Sequence, residues 1–353
     1  MGIKRSTPKF LCPAWRDYQK GDVSPELLVT RLQLVPKKGD LSVVENYRPI
    51  AIISVFLKLI NRMLLNRLKV LDPYLRRGQN GFRDGRGTTE HAMALRILAE
   101  RAVQRGLTLC TLFIDSQKAL DSVTFASLRA SLASFMVPTE FIDVVMRCYN
   151  GHVQRVPLPD GSYDSYTMTT GVLQGDTLAP FLFVLLLDSI LTEVMDPSLG
   201  IPTDGGPSTN HPSTHGMRLR TTKSRPADDD RYLCEMAFAD DPAFVTLIAA
   251  ASEKQLHSFE RFALQCGLKI NAAKGKTEVV MVNVVGSIRS LVTNAVIQCV
   301  EKYTYLGTDP FDSEGQFRQR KGKAWGAIRW RSDGIGAVDP STLSPAASRA
   351  LER

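Results

Sequence analysis

Apolar residues recur at intervals of three and four along much of the chain, which is the pattern of helices that bury one face. Polar capping residues, glycines and prolines mark the ends of these stretches. The predicted helices run from Ser54 to just before Pro73, from Thr88 to Gly106, from Phe125 to Leu132, from Thr139 to about Asn150, from Phe181 to Leu191, and from a cap at Ser252 to Gly267.

Shorter apolar runs of strand length lie between those stretches. The run 107–114 is apolar almost throughout, which is typical of a strand covered on both faces. The runs on either side of Asp240-Asp241 predict a β-hairpin with both carboxylates at its tip, weakened at Pro242, which has no N–H to donate. Further strands are predicted at 31–36, on both sides of the PDGSYD turn, at 279–285 and near Val296.

Three carboxylates stand at the ends of apolar runs. Asp115 follows the run 107–114, and Asp240 and Asp241 occupy the predicted turn. Exposed Asp-Asp turns are common, but a charge beside buried strands must be paired or bound to a metal ion. Mg²⁺ prefers oxygen ligands, and two such ions stabilise the attacking and leaving oxygens of phosphoryl transfer. We therefore predict that Asp115 and Asp240 bridge two Mg²⁺ ions. Asp241 would support them, and the carbonyl of Ser116 is a candidate further ligand.

Two glycine-containing loops carry candidate contacts for phosphates or bases. The first, QNGFRDGRG, contains Arg83 and Arg86, whose guanidinium groups can bind phosphates through two hydrogen bonds each. The second carries Gln174 and Gly175 and leads into the helix predicted from Phe181, where exposed amides suit a nucleotide or a template base. An ordinary loop-to-helix junction is the alternative for this loop taken alone.

Composition limits the class of protein. Of 353 residues, 44% are hydrophobic, which is enough for a buried core and excludes a disordered protein. The net charge of +8 is compatible with a polyanionic partner such as nucleic acid, although many basic proteins bind none. The six cysteines lack zinc-site spacing, which is typical of reduced thiols in an intracellular protein. The longest apolar run, 178–187, is too short to span a bilayer, so we expect a soluble protein.

Two segments differ from the rest in composition. Residues 196–231 are rich in Pro, Gly, Ser and Thr, which predicts a flexible insertion. The segment from Gln316 to Arg331 interleaves arginines and lysines with two tryptophans and contains no acid. Cations and aromatics in this arrangement can follow a sugar-phosphate strand, and a disordered basic tail is the alternative.

Eight motifs follow one another in a recognisable order: LVPKKGD, YRPIAIISVFLKLINRMLLNRL, QNGFRDGRGTTE, FIDSQKALDSV, GVLQGDTLAPFLF, FADD, GLKINAAKGKTE and YLG. The series resembles the reverse transcriptase domain of non-LTR (LINE-type) retrotransposons over roughly residues 30–310. The resemblance implies an α+β fold of the right-hand polymerase type, with a central antiparallel palm sheet. The implied division is an N-terminal extension at 1–30, fingers at 31–106, a palm at 107–285 that contains the insertion 196–231, and the end of the palm, a partial thumb and a basic tail at 286–353.

The resemblance also implies roles for particular residues. In the family, the residues that match Asp115 and Asp240 hold the metal ions, with Asp241 alongside. A lysine at the position of Lys274, or the nearby Lys276, is proposed to protonate the pyrophosphate leaving group. The remaining implied set is Arg83, Arg86, Ser116, Leu120, Gln174 and Gly175 for the nucleotide and template, and Tyr305, Leu306 and Gly307 for the primer grip.

The implied activity is that of an RNA-directed DNA polymerase. It extends a primer 3′-OH on an RNA template with dNTPs and two Mg²⁺ ions, with Mn²⁺ as an alternative. The implied partners are the RNA template, the DNA primer and dNTPs, without a membrane. No endonuclease-like segment or Cys/His knuckle is recognisable, so we expect a fragment of a larger element, or a nuclease partner. The resemblance to this family implies action in the nucleus.

Four positions depart from the family pattern. Leu120 stands where the family has an aromatic residue that excludes ribonucleotides, which predicts weaker discrimination between sugars. Ser116 replaces a large apolar residue, Phe238 replaces the commoner Tyr, and Pro242 replaces an aliphatic residue or Thr. None of these removes a metal ligand, but together they favour two alternatives to an active enzyme. One is a catalytically decayed protein that only binds RNA or an RNA–DNA hybrid, and the other is a relic that folds poorly.

Overall fold

A computed structural model describes residues 11–21, 23–36, 40, 42, 46–158, 160–202 and 232–311. The predicted basic tail from Gln316 and most of the predicted insertion, 203–231, lie outside the described residues. The helices are α1 Leu11–Lys20, α2 Val55–Leu68, α3 Thr88–Arg105, α4 Ala119–Ser122, α5 Phe125–Ser134, α6 Thr139–Met146, α7 Ala179–Val194 and α8 Ala249–Gln265. The strands are β1 Val29–Pro36, β2 Tyr47–Ile52, β3 Leu109–Phe113, β4 Val153–Pro157, β5 Tyr163–Thr167, β6 Ile201–Pro202, β7 Tyr232–Leu233, β8 Glu235–Phe238, β9 Asp241–Thr246, β10 Glu278–Val282 and β11 Gln298–Cys299.

Two larger sheets organise the strands. A four-stranded sheet has the order β2-β1-β4-β5, and a five-stranded sheet has the order β11-β10-β3-β9-β8. Within the five-stranded sheet, β10, β3, β9 and β8 are antiparallel to their neighbours, and β11 joins β10 in parallel. A largely antiparallel sheet packed against helices is an α+β arrangement, as predicted.

The four-stranded sheet crosses the predicted boundary at residue 106. Strands β1 and β2 belong to the predicted fingers, whereas β4 and β5 belong to the predicted palm, yet β1 pairs with β4 in parallel. A sequence pattern locates strands but does not state their partners, so this pairing was not predicted. The four-stranded sheet therefore combines strands from both sides of the predicted boundary between fingers and palm.

The five-stranded sheet is covered on both faces, as the apolar run 107–114 predicts. All five residues of β3 are buried. Leu109 and Phe113 belong to an apolar cluster that also contains Leu95 of α3. Leu112 belongs to a second cluster on the other face, which also contains Phe259 of α8. Each buried Leu or Phe of this kind contributes roughly 1.5–3 kcal/mol of transfer free energy to the folded state.

Two predicted helix ends were wrong. The helix predicted from a Ser252 cap begins at Ala249, because the buried Ser252 hydroxyl bonds with Thr246 Oγ1 (2.6 Å) and donates to Cys110 Sγ (3.1 Å) rather than to the first turn. The helix predicted to reach Asn150 ends at Met146.

Two other boundaries also shift. The helix predicted to stop before Pro73 changes at Leu68 into a 3₁₀ segment, Lys69–Tyr74, that contains this proline. Strand β10 ends at Val282, because Asn283 takes a left-handed φ of 52° and donates to the carbonyl of Leu107.

The remaining sequence features concern cysteines and membranes. Cys110, Cys148, Cys234 and Cys266 are free and buried, and Cys299 is free and exposed. Within the described ranges, no helix combines the length and the apolar character that crossing a bilayer requires.

Candidate active site

The register of β3 and β9 brings the separated carboxylates together. Phe113 pairs with Ala243, and the Ile114 amide donates to the Pro242 carbonyl at 3.0 Å. Continuing this antiparallel register places Asp115 opposite Asp241. Side chains that are opposite one another in a sheet are neighbours. The folded chain therefore joins the two acidic motifs at one edge of the five-stranded sheet.

The predicted hairpin between β8 and β9 is confirmed, but only one of its two carboxylates lies in the turn, because Asp241 is the first residue of β9. Phe238 pairs with Asp241, so Ala239 and Asp240 form its turn, and Ala239 takes a left-handed φ of 55°. Such a conformation costs a residue with a side chain roughly 1–2 kcal/mol and persists only where the surroundings hold it.

Pro242 does not weaken this hairpin in the way predicted. Pro242 pairs with Ala237. The Ala237 amide donates to the Gly78 carbonyl at 2.7 Å, and the Ala237 carbonyl accepts the Asn80 amide at 2.9 Å, so both groups of Ala237 bond away from β9. The Ala237–Pro242 pair is therefore one in which the two strands exchange no hydrogen bonds, and the missing N–H costs the β8–β9 ladder nothing. Pro242 still contributes its carbonyl to β3.

Burial and neighbouring charges raise the pKa values of Asp240 and Asp241. Burial raises the pKa of Asp241 to about 6, and the charges of Asp240 and Asp115 add to this shift. Burial, together with the charge of Asp115, also raises the pKa of Asp240. Lys276 Nζ lies 4.0 Å from Asp115 Oδ1. The site thus concentrates negative charge that a cation would stabilise.

The donor chemistry of these residues fits a divalent metal ion. Carboxylate oxygens are the ligands that Mg²⁺ prefers, and their mutual repulsion is what a bound cation removes. Within the part of the chain that the structure describes, no three His, Cys, Asp or Glu side chains are already gathered in a form that could hold a metal. The described geometry therefore places candidate ligands at one sheet edge without a preformed coordination sphere.

The backbone of Asp115 is fixed by the loop that precedes β10. The Asn271 amide donates to the Asp115 carbonyl at 2.8 Å, and the Asp115 amide donates to Thr277 Oγ1 at 3.2 Å. Lys276 and Lys274 both lie in this loop and are exposed. Of these two lysines, Lys276 is the one in contact with Asp115.

A second loop, around Gln174, contacts β2 of the four-stranded sheet and helix α4. The Ala51 amide of β2 donates to the Gln174 carbonyl at 2.7 Å, and Gln174 Nε2 donates to Asp121 Oδ1 at 2.8 Å. Gly175 has a left-handed φ of 109°, and a Cβ there would lie 2.8 Å from the Ala51 carbonyl oxygen, so only glycine fits. Beside Gln174 and Asp121 is a cavity of about 280 Å³, which Lys118 also lines.

Asp121 and Asp176 are candidate positioning residues that the sequence analysis missed. Asp121 fixes the Gln174 amide, and its neighbour Leu120 accepts the Val172 amide at 2.7 Å. Asp176 is 5% exposed, and its carboxylate accepts the Thr177 amide at 2.6 Å at the start of α7. Burial raises the pKa of Asp176. No local sequence pattern links Asp121 to Gln174.

The loop 78–81 supports the acidic turn from the side of β8. Gln79 Oε1 accepts the amides of Gly81 (2.8 Å) and Ala239 (3.1 Å), and Gln79 forms a parallel bridge with Ala237. A Cβ on Gly81 would lie 2.2 Å from the Ala239 nitrogen. The glycines and arginines of this loop predicted contacts with phosphates, whereas its first residues support the backbone of the β8–β9 turn.

The Arg83 guanidinium forms its hydrogen bonds within the protein, contrary to the predicted phosphate contact. Its side chain is 4% exposed, and its guanidinium donates to the Asp72 carboxylate at 3.0 Å and to the carbonyls of Arg76 and Gln79 at 2.9 Å each. Arg86 is exposed and donates to Asn80 Oδ1 at 3.0 Å. Of the two predicted arginines, Arg86 is therefore the one that solvent reaches.

Tyr305 lies beneath the carboxylates rather than on a primer-binding surface. It is 3% exposed, its hydroxyl donates to the Asp241 carbonyl at 3.0 Å, and its ring packs on Phe113 with 5.1 Å between centroids. A residue this buried cannot touch a primer, so the implied contact was wrong for Tyr305. Leu306 is half-buried and Gly307 is exposed, both with positive φ.

The fold and the site together define a class. A largely antiparallel sheet, with carboxylates converging from the end of one strand and the turn beside it, is the arrangement of a right-hand polymerase. The same fold is found in an apo telomerase from Candida tropicalis, which matches over 87% of this chain and 53% of that one with a TM-score of 0.51 and 14% identity.

Residues 35–309 match the reverse transcriptase (RNA-dependent DNA polymerase) family, and the chain belongs to it. It is 25% identical, over 72% of its length, to the Pol polyprotein of the type-2 retrotransposable element R2DM from Drosophila melanogaster. It is 26% identical, over 78% of its length, to the RNA-directed DNA polymerase of the mobile element jockey from Drosophila funebris. These matches span 22% and 28% of the two relatives, so the chain corresponds to only part of each. The relatives identify its type as that of non-LTR retrotransposons, as the motif order predicts.

Proposed function

We propose that this chain is the polymerase core of a non-LTR retrotransposon protein, which extends a DNA primer 3′-OH on an RNA template with dNTPs. The observation that carries the proposal is the β3–β9 register, because it places Asp115 opposite Asp241 although the two motifs are far apart in sequence. Family membership supports the same reaction, and reverse transcriptases generally use divalent metal ions.

Asp115 and Asp240 would hold two Mg²⁺ ions, or Mn²⁺, with Asp241 alongside and the Ser116 carbonyl as a further ligand. When bound, the ions stabilise charge on the attacking and leaving oxygens. The protein groups orient those ligands: the loop before β10 fixes the Asp115 backbone, and the β8–β9 turn presents Asp240.

Lys276 is the better candidate for donating a proton to the leaving pyrophosphate. Its ammonium lies 4.0 Å from Asp115 Oδ1, beside the proposed metal ligands. Lys274, which the resemblance favours, lies in the same loop and is exposed. A general acid must come within hydrogen-bond reach of the group it protonates, so the contact of Lys276 with the carboxylates supports this choice.

The cavity beside Gln174 is the proposed place of the incoming nucleotide and the template base. Gln174 and Gly175 would contact them, and Arg86 would neighbour the phosphates. Asp121 accepts a hydrogen bond from Gln174 Nε2. This bond fixes the orientation in which the Gln174 side-chain amide would meet a ligand. Leu120, beside Asp121, is the proposed gate against ribonucleotides.

We also propose the family division of the chain, with residues 31–106 as fingers, 107–285 as palm and the segment from 286 as the end of the palm and a partial thumb. The pairing of β1 with β4 adds the β4–β5 hairpin to the fingers sheet. Action in the nucleus and a nuclease partner are inferred from the family alone.

RNA-templated primer extension with purified protein tests this function. We expect Mg²⁺-dependent extension by the wild type and loss of at least 100-fold in Asp115→Asn, on the order of the loss when an electrostatic group that stabilises the transition state is removed. Asp143→Asn, an exposed carboxylate paired with Arg129, is the matched control and should retain activity. RNA binding without any extension by the wild type would contradict the proposal and support a decayed RNA-binding protein.

A further inference from the structure

The four-stranded sheet has one face towards the candidate site and one face towards solvent. Leu32 of β1 and Gln154 of β4 line the cavity beside Gln174. Side chains alternate between the two faces along a strand, so Arg31 and Arg155, their neighbours in sequence, point away from that cavity. The outward side of this sheet is a surface separate from the cleft.

Three arginines and a tyrosine share this outward side. The register places Arg31 directly beside Arg155 across β1 and β4, and it pairs Arg48 of β2 with Val35 on the same side. The Arg31 guanidinium lies 6.0 Å from the centroid of the Tyr163 ring. Arg31, Arg48, Arg155 and Tyr163 are all exposed, and we call these four residues the outer face.

Among the residues that the structure describes, no acidic side chain on this side of the sheet compensates the positive charge of the outer face. Like charges directly opposite one another destabilise a sheet, and Arg31 and Arg155 are such a pair. Among the described strand positions on this side, none is Asp or Glu. No ion pair between described residues involves Arg31, Arg48 or Arg155. An anionic partner would relieve this repulsion.

We propose that the outer face binds a single-stranded segment of RNA, outside the cleft that takes template and primer. Arginines in such a surface neutralise phosphates, and an exposed tyrosine ring can stack on an unpaired base. Arg48 lies opposite Val35, which is four residues from Arg31 along β1, a distance of about 13 Å. This distance spans more than one phosphate. The exposed aromatic ring favours a single strand over a duplex, whose bases are already stacked.

The inference rests on the proposed function, because RNA is the polyanion that a reverse transcriptase handles. The outer face would be a second binding site for the RNA and would keep the RNA bound while the cleft moves along the template. Single-stranded DNA of the same sequence and an RNA duplex are the competing occupants, and they form two arms of the test.

The experiment measures binding of a labelled, unstructured 30-nucleotide RNA while an excess of unlabelled short primer–template duplex fills the cleft. We expect Arg31→Gln/Arg155→Gln to weaken this binding by about tenfold and to reduce the salt slope of log K by about 1.4, from two lost phosphate contacts. Tyr163→Leu should weaken it by about fivefold or more. The control variant Lys254→Gln/Arg261→Gln removes the same charge from the exposed surface of α8 and should change neither quantity.

Extension of the short primer–template separates this inference from the proposed function. The outer-face variants should extend it as well as the wild type, because this duplex does not reach the outer face. Wild-type protein that binds the RNA through the outer face but extends no primer would contradict the proposed function alone. An unchanged affinity and salt slope in both folded outer-face variants, an equal loss in the α8 control, or tighter binding of the DNA strand or the duplex would overturn the inference.

Discussion

The hydroxyl of Tyr305 donates a hydrogen bond to the carbonyl oxygen of Asp241 at 3.0 Å. The donor comes from the YLG motif near the end of the described chain, and the acceptor belongs to the acidic turn. Because Tyr305 is buried, this bond holds the backbone that carries the carboxylates rather than a bound ligand. A motif implied to grip the primer therefore includes a residue that positions the backbone of a proposed metal ligand.

Tyr305→Phe should lower the rate of extension without weakening primer–template binding. It removes one buried hydrogen bond and leaves the Asp241 carbonyl without this donor, a loss of roughly 1–3 kcal/mol in stability. Single-turnover extension and a separate binding measurement distinguish the two effects. Tyr303→Phe is the matched control, because Tyr303 stacks on the same Phe113 ring. A primer affinity that falls while the single-turnover rate is unchanged would instead restore the primer-grip role.

Gly81→Ala should disrupt the acidic turn from the side of the loop 78–81. A Cβ at Gly81 would lie 2.2 Å from the Ala239 nitrogen, so the loop must move away from β8. We expect a loss of stability of about 2 kcal/mol or more, the scale of overpacking in a close contact, and a lower extension rate. Gly87→Ala is the control, since a Cβ there meets open space and the backbone φ is −148°. Equal stability of the two variants in denaturant unfolding would show that the contact is not needed.

Asp121→Ala should reduce nucleotide affinity through Gln174. The carboxylate accepts from Gln174 Nε2, so its removal frees the amide to rotate. In a double-mutant cycle with Gln174→Ala, we expect an interaction free energy of about 0.5–3 kcal/mol in the KM for dNTP, as for residues in direct contact. Strictly additive effects would mean that Asp121 acts by some route other than Gln174.

Leu120→Tyr should increase the preference for dNTPs over rNTPs. A larger side chain at the proposed gate would clash with a ribose 2′-OH, and one steric group of this kind is worth roughly 1–3 kcal/mol, or 10- to 200-fold. The ratio of kcat/KM for the two nucleotide classes checks this. Leu120→Met, which keeps the volume of the side chain, should leave the ratio unchanged, and an unchanged ratio in Leu120→Tyr would remove Leu120 from the gate.

His152 should make folding sensitive to mild acid. Its ring is fully buried between Thr30 Oγ1 (2.5 Å) and the Cys148 carbonyl (3.1 Å), and burial lowers its pKa to about 4. The unfolded chain binds a proton below about pH 6.5 and the folded chain only below about pH 4, so stability falls as the pH drops through this interval. The loss attributable to His152 at pH 5 is about 2 kcal/mol.

His152→Gln keeps a hydrogen-bonding side chain and removes the titration. Its unfolding free energy, measured by urea at pH 7 and pH 5, should therefore change less between the two pH values than that of the wild type. His91 is also buried with a pKa lowered to about 4, so a remaining acid loss in the variant is expected. An identical loss in both proteins would contradict the assignment to His152.

The sequence predicted the features that depend on local pattern. The run before Asp115 predicted a strand covered on both faces, and the paired runs around Asp240 predicted the hairpin, because apolar spacing directly reflects which sides of an element are buried. The motif order predicted the family and the polymerase fold. It did so because the order of motifs along a chain follows the order of elements in the fold.

Contacts between distant segments were the part that the sequence could not supply. Arg83 was predicted to bind phosphate because arginines in glycine-rich loops often do. Its guanidinium instead donates hydrogen bonds to Asp72 and to nearby carbonyls. Tyr305 carried a family role that its burial excludes. The pairing of β1 with β4 and the bond of Asp121 to Gln174 depend on tertiary geometry that no local pattern contains.

Thermal unfolding in a Mg²⁺ titration tests the central claim most directly, namely that Asp115, Asp240 and Asp241 form one cation site. A ligand that binds only the folded state raises the melting temperature. We expect Mg²⁺ to stabilise the wild type and Asp143→Asn but not Asp115→Asn/Asp240→Asn. We also expect the double variant to be at least as stable as the wild type without metal, because it removes the charges of Asp240 and Asp115 that add to burial in raising the pKa of Asp241. Equal Mg²⁺ stabilisation of the wild type and the double variant would contradict this claim.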